Sequence, residues 1–110
     1  MIRETISKIE EQLRSAPSVN DQNRTELLNL LATLKAEVSE LSETDADKAQ
    51  SIAGFTAVST HEAIRDQKNP ELADLSLKGL SSSVQGFEES HPKLVQVVNS
   101  ICTTLSNLGI

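Results

Sequence analysis

The sequence has almost no aromatic side chains and only one cysteine. It contains two Phe and neither Trp nor Tyr among its 110 residues. Sites that bind nucleic-acid bases, sugars or cofactor rings commonly use aromatic stacking, which only Phe55 and Phe87 could supply. The single cysteine, Cys102, excludes a disulfide within the chain. These shortages argue against stacking sites and against a disulfide-stapled secreted domain.

Positive charge is also scarce. Ten Lys and Arg residues stand against 16 Asp and Glu, which gives a formal net charge of −6. The basic residues are scattered singly, whereas nucleic acids and anionic membranes attract clusters of them. No apolar run approaches the roughly 20 residues that span a bilayer, and the N-terminus lacks the apolar centre of a signal peptide. We therefore expect a cytoplasmic protein that binds neither nucleic acid nor membrane.

Helical periodicity dominates what is present. Large aliphatic residues recur at alternating spacings of four and three, which is typical of one face of an α-helix, and no strand-like alternation is sustained. The predicted helices span about residues 2–15, 21–41, 45–66, 70–89 and 92–108 of a single domain, residues 1–110. We predict an all-α fold in which antiparallel helical hairpins form a small bundle of about four to five helices, with coiled-coil-like heptad packing.

Proline marks three of the helix boundaries. Pro17 ends the first helix, because proline disfavours helical geometry at the residue before it. Pro70 and Pro92 each follow a potential capping segment and suit the first helical position. Residues 21–66 contain no proline and could form one long helix. The sequence SETDAD at residues 42–47 nevertheless offers several N-cap candidates, so we favour a break there.

The third and fifth predicted helices have unusual compositions. The third is rich in Ala, Ser and Gly, which would permit close approach of neighbouring helices. Gly54 costs about 1 kcal/mol relative to Ala in a helix, so we favour a thin, partly exposed helix. The fifth carries no charge after Lys93. Because depletion of charge marks contact surfaces, we expect this last helix to be the central strut of the bundle.

No pattern in the sequence predicts catalysis or a bound metal. Residues 61–65, HEAIR, begin like the HExxH zinc-protease motif, but Arg65 replaces the second histidine. A polar helix surface with a Glu62–Arg65 pair is the better interpretation. The acidic residues from 37 to 47 lack the spacing and the glycine of an EF-hand, so a solvated helix face is favoured over a calcium site.

The remaining histidine and the cysteine also favour structural roles. His91 immediately precedes Pro92, where it suits a helix cap or a hydrogen bond with Glu88 or Glu89 better than a catalytic or metal-binding role. Cys102 lies at the edge of an apolar stripe without an adjacent basic residue to lower its pKa. We therefore predict a protein that is not an enzyme and has no catalytic, metal-binding or cofactor-binding residues.

Several segments together carry a family resemblance. They are the opening MIRETISKIEEQL, the proline turn, the Leu-rich second helix, and the ending GFEESHP through LSNLGI. In these segments the chain resembles the bacterial domain of unknown function 4404 family, whose members are small, helical and uncharacterised. The resemblance covers residues 1–41 and about 76–110, and residues 45–70 look like extra length. It implies a helical fold and brings no activity or catalytic residue with it.

The apolar stripes exceed what a simple hairpin requires, which favours a self-associating interaction protein. We predict a homo-oligomer, most simply a dimer, or a complex with another helical protein. Leu72 and Leu75 lie off the apolar stripe of their helix. The first helix has a narrow apolar stripe, and the last helix is almost free of charged residues. The predicted contact residues are Ile2, Ile6, Ile9, Leu13, Leu72, Leu75, Leu94, Val98, Ile101, Leu105 and Leu108.

A second function from a different class fits the same sequence. The chain would then be a monomeric helical bundle that binds an apolar ligand or a partner's helix in its interior. Ala53, Gly54 and Gly79 are the residues expected to open the necessary gaps between helices.

Overall fold

The computed structural model describes residues 2–109 and contains five α-helices, each of which carries one of the apolar stripes predicted from the sequence. They are α1 (Ile2–Arg14), α2 (Asp21–Ser42), α3 (Ala46–Ile64), α4 (Pro70–Ser83) and α5 (Pro92–Gly109). No strand occurs within residues 2–109, and the helices pack on one another as a bundle. The predicted all-α bundle is therefore confirmed. Its coiled-coil-like heptad packing stays a prediction.

Side-chain caps begin three of the helices. The side-chain oxygen of Asn20 accepts a hydrogen bond from the third residue of α2, and Asp45 and Asn69 do the same for α3 and α4. Each cap satisfies a backbone N–H that has no partner within its helix. The cap at Asp45 separates α2 from α3, so the predicted break within residues 42–47 is confirmed.

The fourth helix is shorter than the sequence predicts. It ends at Ser83 rather than near residue 89. Val84 has non-helical geometry, and Gly86 has a φ of 95°, in the left-handed region that glycine adopts without steric cost. The apolar spacing continues through Val84 and Phe87, which pack against the core from a turn instead of from a helix.

The α1–α2 hairpin runs antiparallel, as predicted. The guanidinium of Arg24, near the start of α2, contacts the end of α1, and Lys35, farther along α2, contacts Glu10 earlier in α1. The Lys35 Nζ to Glu10 Oε1 distance is 2.7 Å. Because this pair is partly buried, it fixes the relative position of the two helices better than an exposed pair would.

Arg24 also holds the α1–α2 linker together. Its Nε donates to the carbonyl of Leu13 at 3.2 Å, and its Nη2 donates to the carbonyls of Ala16 at 2.6 Å and Val19 at 2.8 Å. Its Nη1 pairs with the exposed Asp21 at 2.7 Å. One planar side chain thus satisfies the carbonyls at the end of α1 and in the following turn.

The centre of the bundle is α3, not α5. Within residues 2–109, α3 contacts all four other helices, whereas α5 contacts α2, α3 and α4. The expectation that α5 is the central strut is therefore wrong. The helix α3 is nevertheless partly exposed, as its composition predicts, because nine of its 19 residues are exposed. Its small residues let four neighbours approach, and those that are buried are Ala49, Ala53, Ser59 and Ala63.

Candidate interaction surface

The predicted contact residues divide into a buried and an exposed group. Most of them lie in the core of the single chain: Ile6, Ile9, Leu13, Leu94, Val98, Ile101 and Leu105. Ile2 and Leu108 are partly buried against that core. In addition, α1 packs on α2 and α3, and no α1–α5 contact occurs within residues 2–109. Of the predicted set, Leu72 and Leu75 are exposed.

Two further residues join the exposed pair to form a continuous apolar surface. The exposed fractions are 39% for Phe55, 50% for Val58, 45% for Leu72 and 57% for Leu75, and these are the exposed large hydrophobic residues of the part of the chain described. All four line one shallow groove between α3 and α4, together with the buried Ser76 and Glu62. We refer to Phe55, Val58, Leu72 and Leu75 as the α3–α4 patch.

The patch follows from the way in which α3 and α4 pack. Phe55 and Val58 lie three residues apart on α3, and Leu72 and Leu75 have the same spacing on α4, so each pair shares one helix face. The Phe55 ring covers Gly79, where an added Cβ would lie 2.4 Å from the ring atom Cε1. Glycine at position 79 therefore allows the aromatic ring to lie directly on the backbone of α4.

The glycines do not open the interior gaps that the sequence suggests. The space beside Gly79 is occupied by the Phe55 ring, and Gly54 is exposed, with no atom within 4 Å of an added Cβ. Ala53 is buried in the core. The expectation of a ligand gap at these three residues is therefore wrong, because one site is filled, one faces open space and one is packed.

The patch itself is uncharged, and the carboxylate in its groove is paired. The Glu62 carboxylate accepts a hydrogen bond from Arg65 Nη1 at 3.0 Å, as the predicted Glu62–Arg65 pair requires. Away from the groove, on α4, Lys78 Nζ lies 2.9 Å from Asp74 Oδ2. Residues 49–61 of α3 include no Asp, Glu, Lys or Arg. The patch is therefore an uncharged apolar area on a chain whose net charge is −6.

The outer face of α5 is exposed rather than surrounded. Gln96, Asn99, Ser100 and Thr103 are exposed, and they form an uncharged polar strip. Thr104 is buried, and its hydroxyl donates to the carbonyl of Ser100 at 3.0 Å. Unlike the α3–α4 patch, this strip presents no large apolar side chain to solvent.

The side chain of His91 contacts neighbouring residues, and that of Cys102 is partly buried. The Nδ1 of His91 lies 3.0 Å from the Ser90 hydroxyl, and its ring meets Phe87 edge-on with centroids 5.6 Å apart. The ring bonds to Ser90 in place of the suggested Glu88 or Glu89, and the Glu88 carboxylate accepts from the Gly86 N–H at 3.0 Å. Burial raises the pKa of the Cys102 thiol, which therefore stays protonated at neutral pH.

The described residues form neither a cluster of metal ligands nor a membrane-spanning helix. Residues 2–109 contain no group of three or more His, Cys, Asp or Glu side chains placed to hold a metal ion. No helix in the same range is both long enough and apolar enough to cross a membrane.

One comparison with known proteins gave a match. The family model of domain of unknown function DUF4404 matches residues 27–110. The match spans residues 45–70, which the resemblance leaves out, and it omits the α1 helix, which the resemblance includes. No curated protein and no solved structure matches the chain. Since the family model covers most of the sequence, the chain belongs to the DUF4404 family.

Proposed function

We propose that this protein is a non-enzymatic helical assembly module of the cytoplasm that forms a two-fold homodimer through the α3–α4 patch. One observation carries the proposal: the exposed large hydrophobic residues of the described chain are gathered in a single groove. Singly scattered apolar residues are ordinary on protein surfaces, whereas contiguous ones favour an interaction site.

A second copy of the chain is the partner that the charges favour. A two-fold interface places the same patch on both subunits, so each side must be complementary to itself. The patch meets this condition because its four side chains are apolar and the Glu62 carboxylate in the same groove is paired with Arg65 of its own chain. Two chains of net charge −6 repel each other, and contact through four uncharged side chains places no charge at the centre of the interface.

The dimensions of the face favour a reversible dimer. At 1.5 Å per residue α4 is about 21 Å long, and two packed helices present a face about 20 Å wide. A standard stable interface buries about 800 Å² per partner, and a face of this size lies at or below that value. We therefore expect a micromolar dissociation constant and concentration-dependent assembly.

The proposed interface consequently contains fewer residues than the sequence predicts. Leu72 and Leu75 remain in it, and Phe55 and Val58 are added. The proposed interface leaves out the predicted residues of α1 and α5, because most of their side chains are buried in the core of one chain.

The test is a double substitution in the patch, Val58→Glu with Leu75→Glu. Four carboxylates would meet across the two-fold axis without a partner, so the dimer should be lost. Sedimentation equilibrium over micromolar to sub-millimolar chain concentrations should give a dimer mass for the wild type at the upper end and a monomer mass for the variant throughout. Far-UV circular dichroism should be unchanged, because both positions are exposed.

The matched control is Gln96→Glu with Asn99→Asp on the exposed strip of α5. It adds the same charge without touching the patch and should leave the dimer intact. If the control dissociates and the patch variant does not, α5 is the interface and the proposal is wrong. A monomeric wild type at every concentration would also contradict it.

A further inference from the structure

A small cavity lies between α3, α4 and α5, on the face of α4 opposite the α3–α4 patch. Its volume is about 120 Å³. Ser59 and Ala63 line it from α3, Ala73 and Leu77 from α4, and Leu105 from α5. Its walls are mainly apolar, and the polar groups among them are the hydroxyls of Ser59 and Ser106 and the carboxylate of Asp74.

The hydroxyl of Ser59 lacks a hydrogen-bond partner. Among the described residues, its Oγ is the buried side-chain oxygen or nitrogen atom with no partner, and Ser59 is 2% exposed. Thr56, one turn earlier, shows the usual arrangement, because its hydroxyl donates to the Ile52 carbonyl at 2.7 Å. Buried polar groups in proteins are nearly always paired, so the partner of Ser59 Oγ must be a molecule held in the cavity, either water or a ligand.

We propose that this cavity binds a small neutral amphiphile whose hydroxyl group pairs with Ser59 Oγ and whose apolar body packs against Ala73, Leu77 and Leu105. An apolar cavity of about 150 Å³ in another protein binds benzene, so 120 Å³ suits a ligand of about six or seven non-hydrogen atoms. A lone water molecule needs only about 10–15 Å³ of such space, so it would leave most of the cavity unfilled.

The charges around the cavity favour a neutral ligand. Asp74 lines the cavity, its carboxylate is already paired with Lys78, and no Lys or Arg is among the lining residues. An anionic ligand would therefore leave water without gaining a counter-charge, which is costly. A neutral alcohol or phenol has the required hydroxyl without that cost.

The experiment compares phenol with toluene, which has nearly the same shape and lacks the hydroxyl. Each is titrated into the protein, and binding is followed by the amide shifts in ¹H–¹⁵N correlation spectra. We expect saturable shifts centred on Ser59, Ala63 and Ala73. Phenol should bind about 2- to 12-fold more tightly than toluene, which is the effect of one net hydrogen bond.

Two variants make the result specific. Ser59→Ala should bind both compounds with equal affinity, because it removes the hydroxyl and leaves the apolar walls in place. Ala73→Leu should abolish the binding of both, because the larger side chain fills the cavity. Both positions lie outside the α3–α4 patch, and the titration is done in the Val58→Glu, Leu75→Glu background that is expected to stay monomeric, so the result is independent of the proposed dimer.

Three results would overturn the proposal. The first is a wild type without a saturable response to either compound. The second is equal affinity for phenol and toluene, or a preference for phenol that survives in Ser59→Ala. The third is unchanged binding in a folded Ala73→Leu variant, which would place the ligand elsewhere on the surface.

Discussion

The Ile101→Asp variant is expected to be largely unfolded at 25 °C, even at concentrations where no dimer forms. Ile101 is 0% exposed within a single chain and lies on α5, which packs on three other helices. Truncating a buried Ile side chain costs about 2–5 kcal/mol, and an unpaired buried carboxylate adds several more. A domain of this size has a total stability of roughly 5–15 kcal/mol, so this one change removes most of it.

Urea unfolding followed by circular dichroism at 222 nm measures this effect. Ile101→Val keeps the apolar contact and should cost about 0.5–1.5 kcal/mol. Leu75→Asp introduces the same carboxylate on the exposed patch and should change the free energy of unfolding by no more than about 0.5 kcal/mol. If Ile101→Asp kept the wild-type urea midpoint, Ile101 would lie outside the core and the packing of α5 would need revision.

The second large effect is expected at Arg24. Replacing it with Ala removes the donors to the carbonyls of Leu13, Ala16 and Val19, and the Arg24 side chain is only 21% exposed. Hydrogen bonds from a charged donor contribute about 1.5–3 kcal/mol each when counted singly. Since these carbonyls regain some solvent, we expect a total loss of about 2–3 kcal/mol.

The Arg24→Lys variant distinguishes the effect of the positive charge from that of the planar guanidinium group. The Lys ammonium keeps the positive charge but lacks the planar fork that reaches three carbonyls, so Arg24→Lys should recover only part of the loss. Asp21→Asn breaks the ion pair of Arg24 with an exposed carboxylate and should leave the urea midpoint nearly unchanged. If Arg24→Lys matched the wild type, the carbonyl contacts would have no measurable role and only the charge would matter.

The helices could be predicted because their signals are local. The caps at Asn20, Asp45 and Asn69 and the prolines at residues 70 and 92 act within one turn of their position, so the sequence marks helix starts closely. The end of α4 was harder to predict, because Val84 and Phe87 keep the helical apolar spacing while their backbone turns at Gly86. Spacing alone does not distinguish these two arrangements.

The spatial arrangement of the helices in the bundle could not be predicted from such local signals. Which helix becomes central depends on contacts between distant segments, and an apolar stripe looks the same whether it packs on its own chain or on another. The sequence therefore predicts an interface for the stripes of α1 and α5, whereas most of their side chains are buried in the core of a single chain. The sequence feature that does indicate the exposed patch is in α3, where Phe55 and Val58 share a helix face within a run without charged residues, residues 49–61.

The shallow anchoring of α4 has a consequence for hydrogen exchange. Within this helix only Ser76 and Leu80 are buried, because the cavity borders one face and the exposed groove the other. A helix held by so few buried side chains opens at a lower free energy than the rest of the bundle. The amides of α4 should therefore exchange through local opening, while those of α2 and α5 exchange only when the whole chain unfolds.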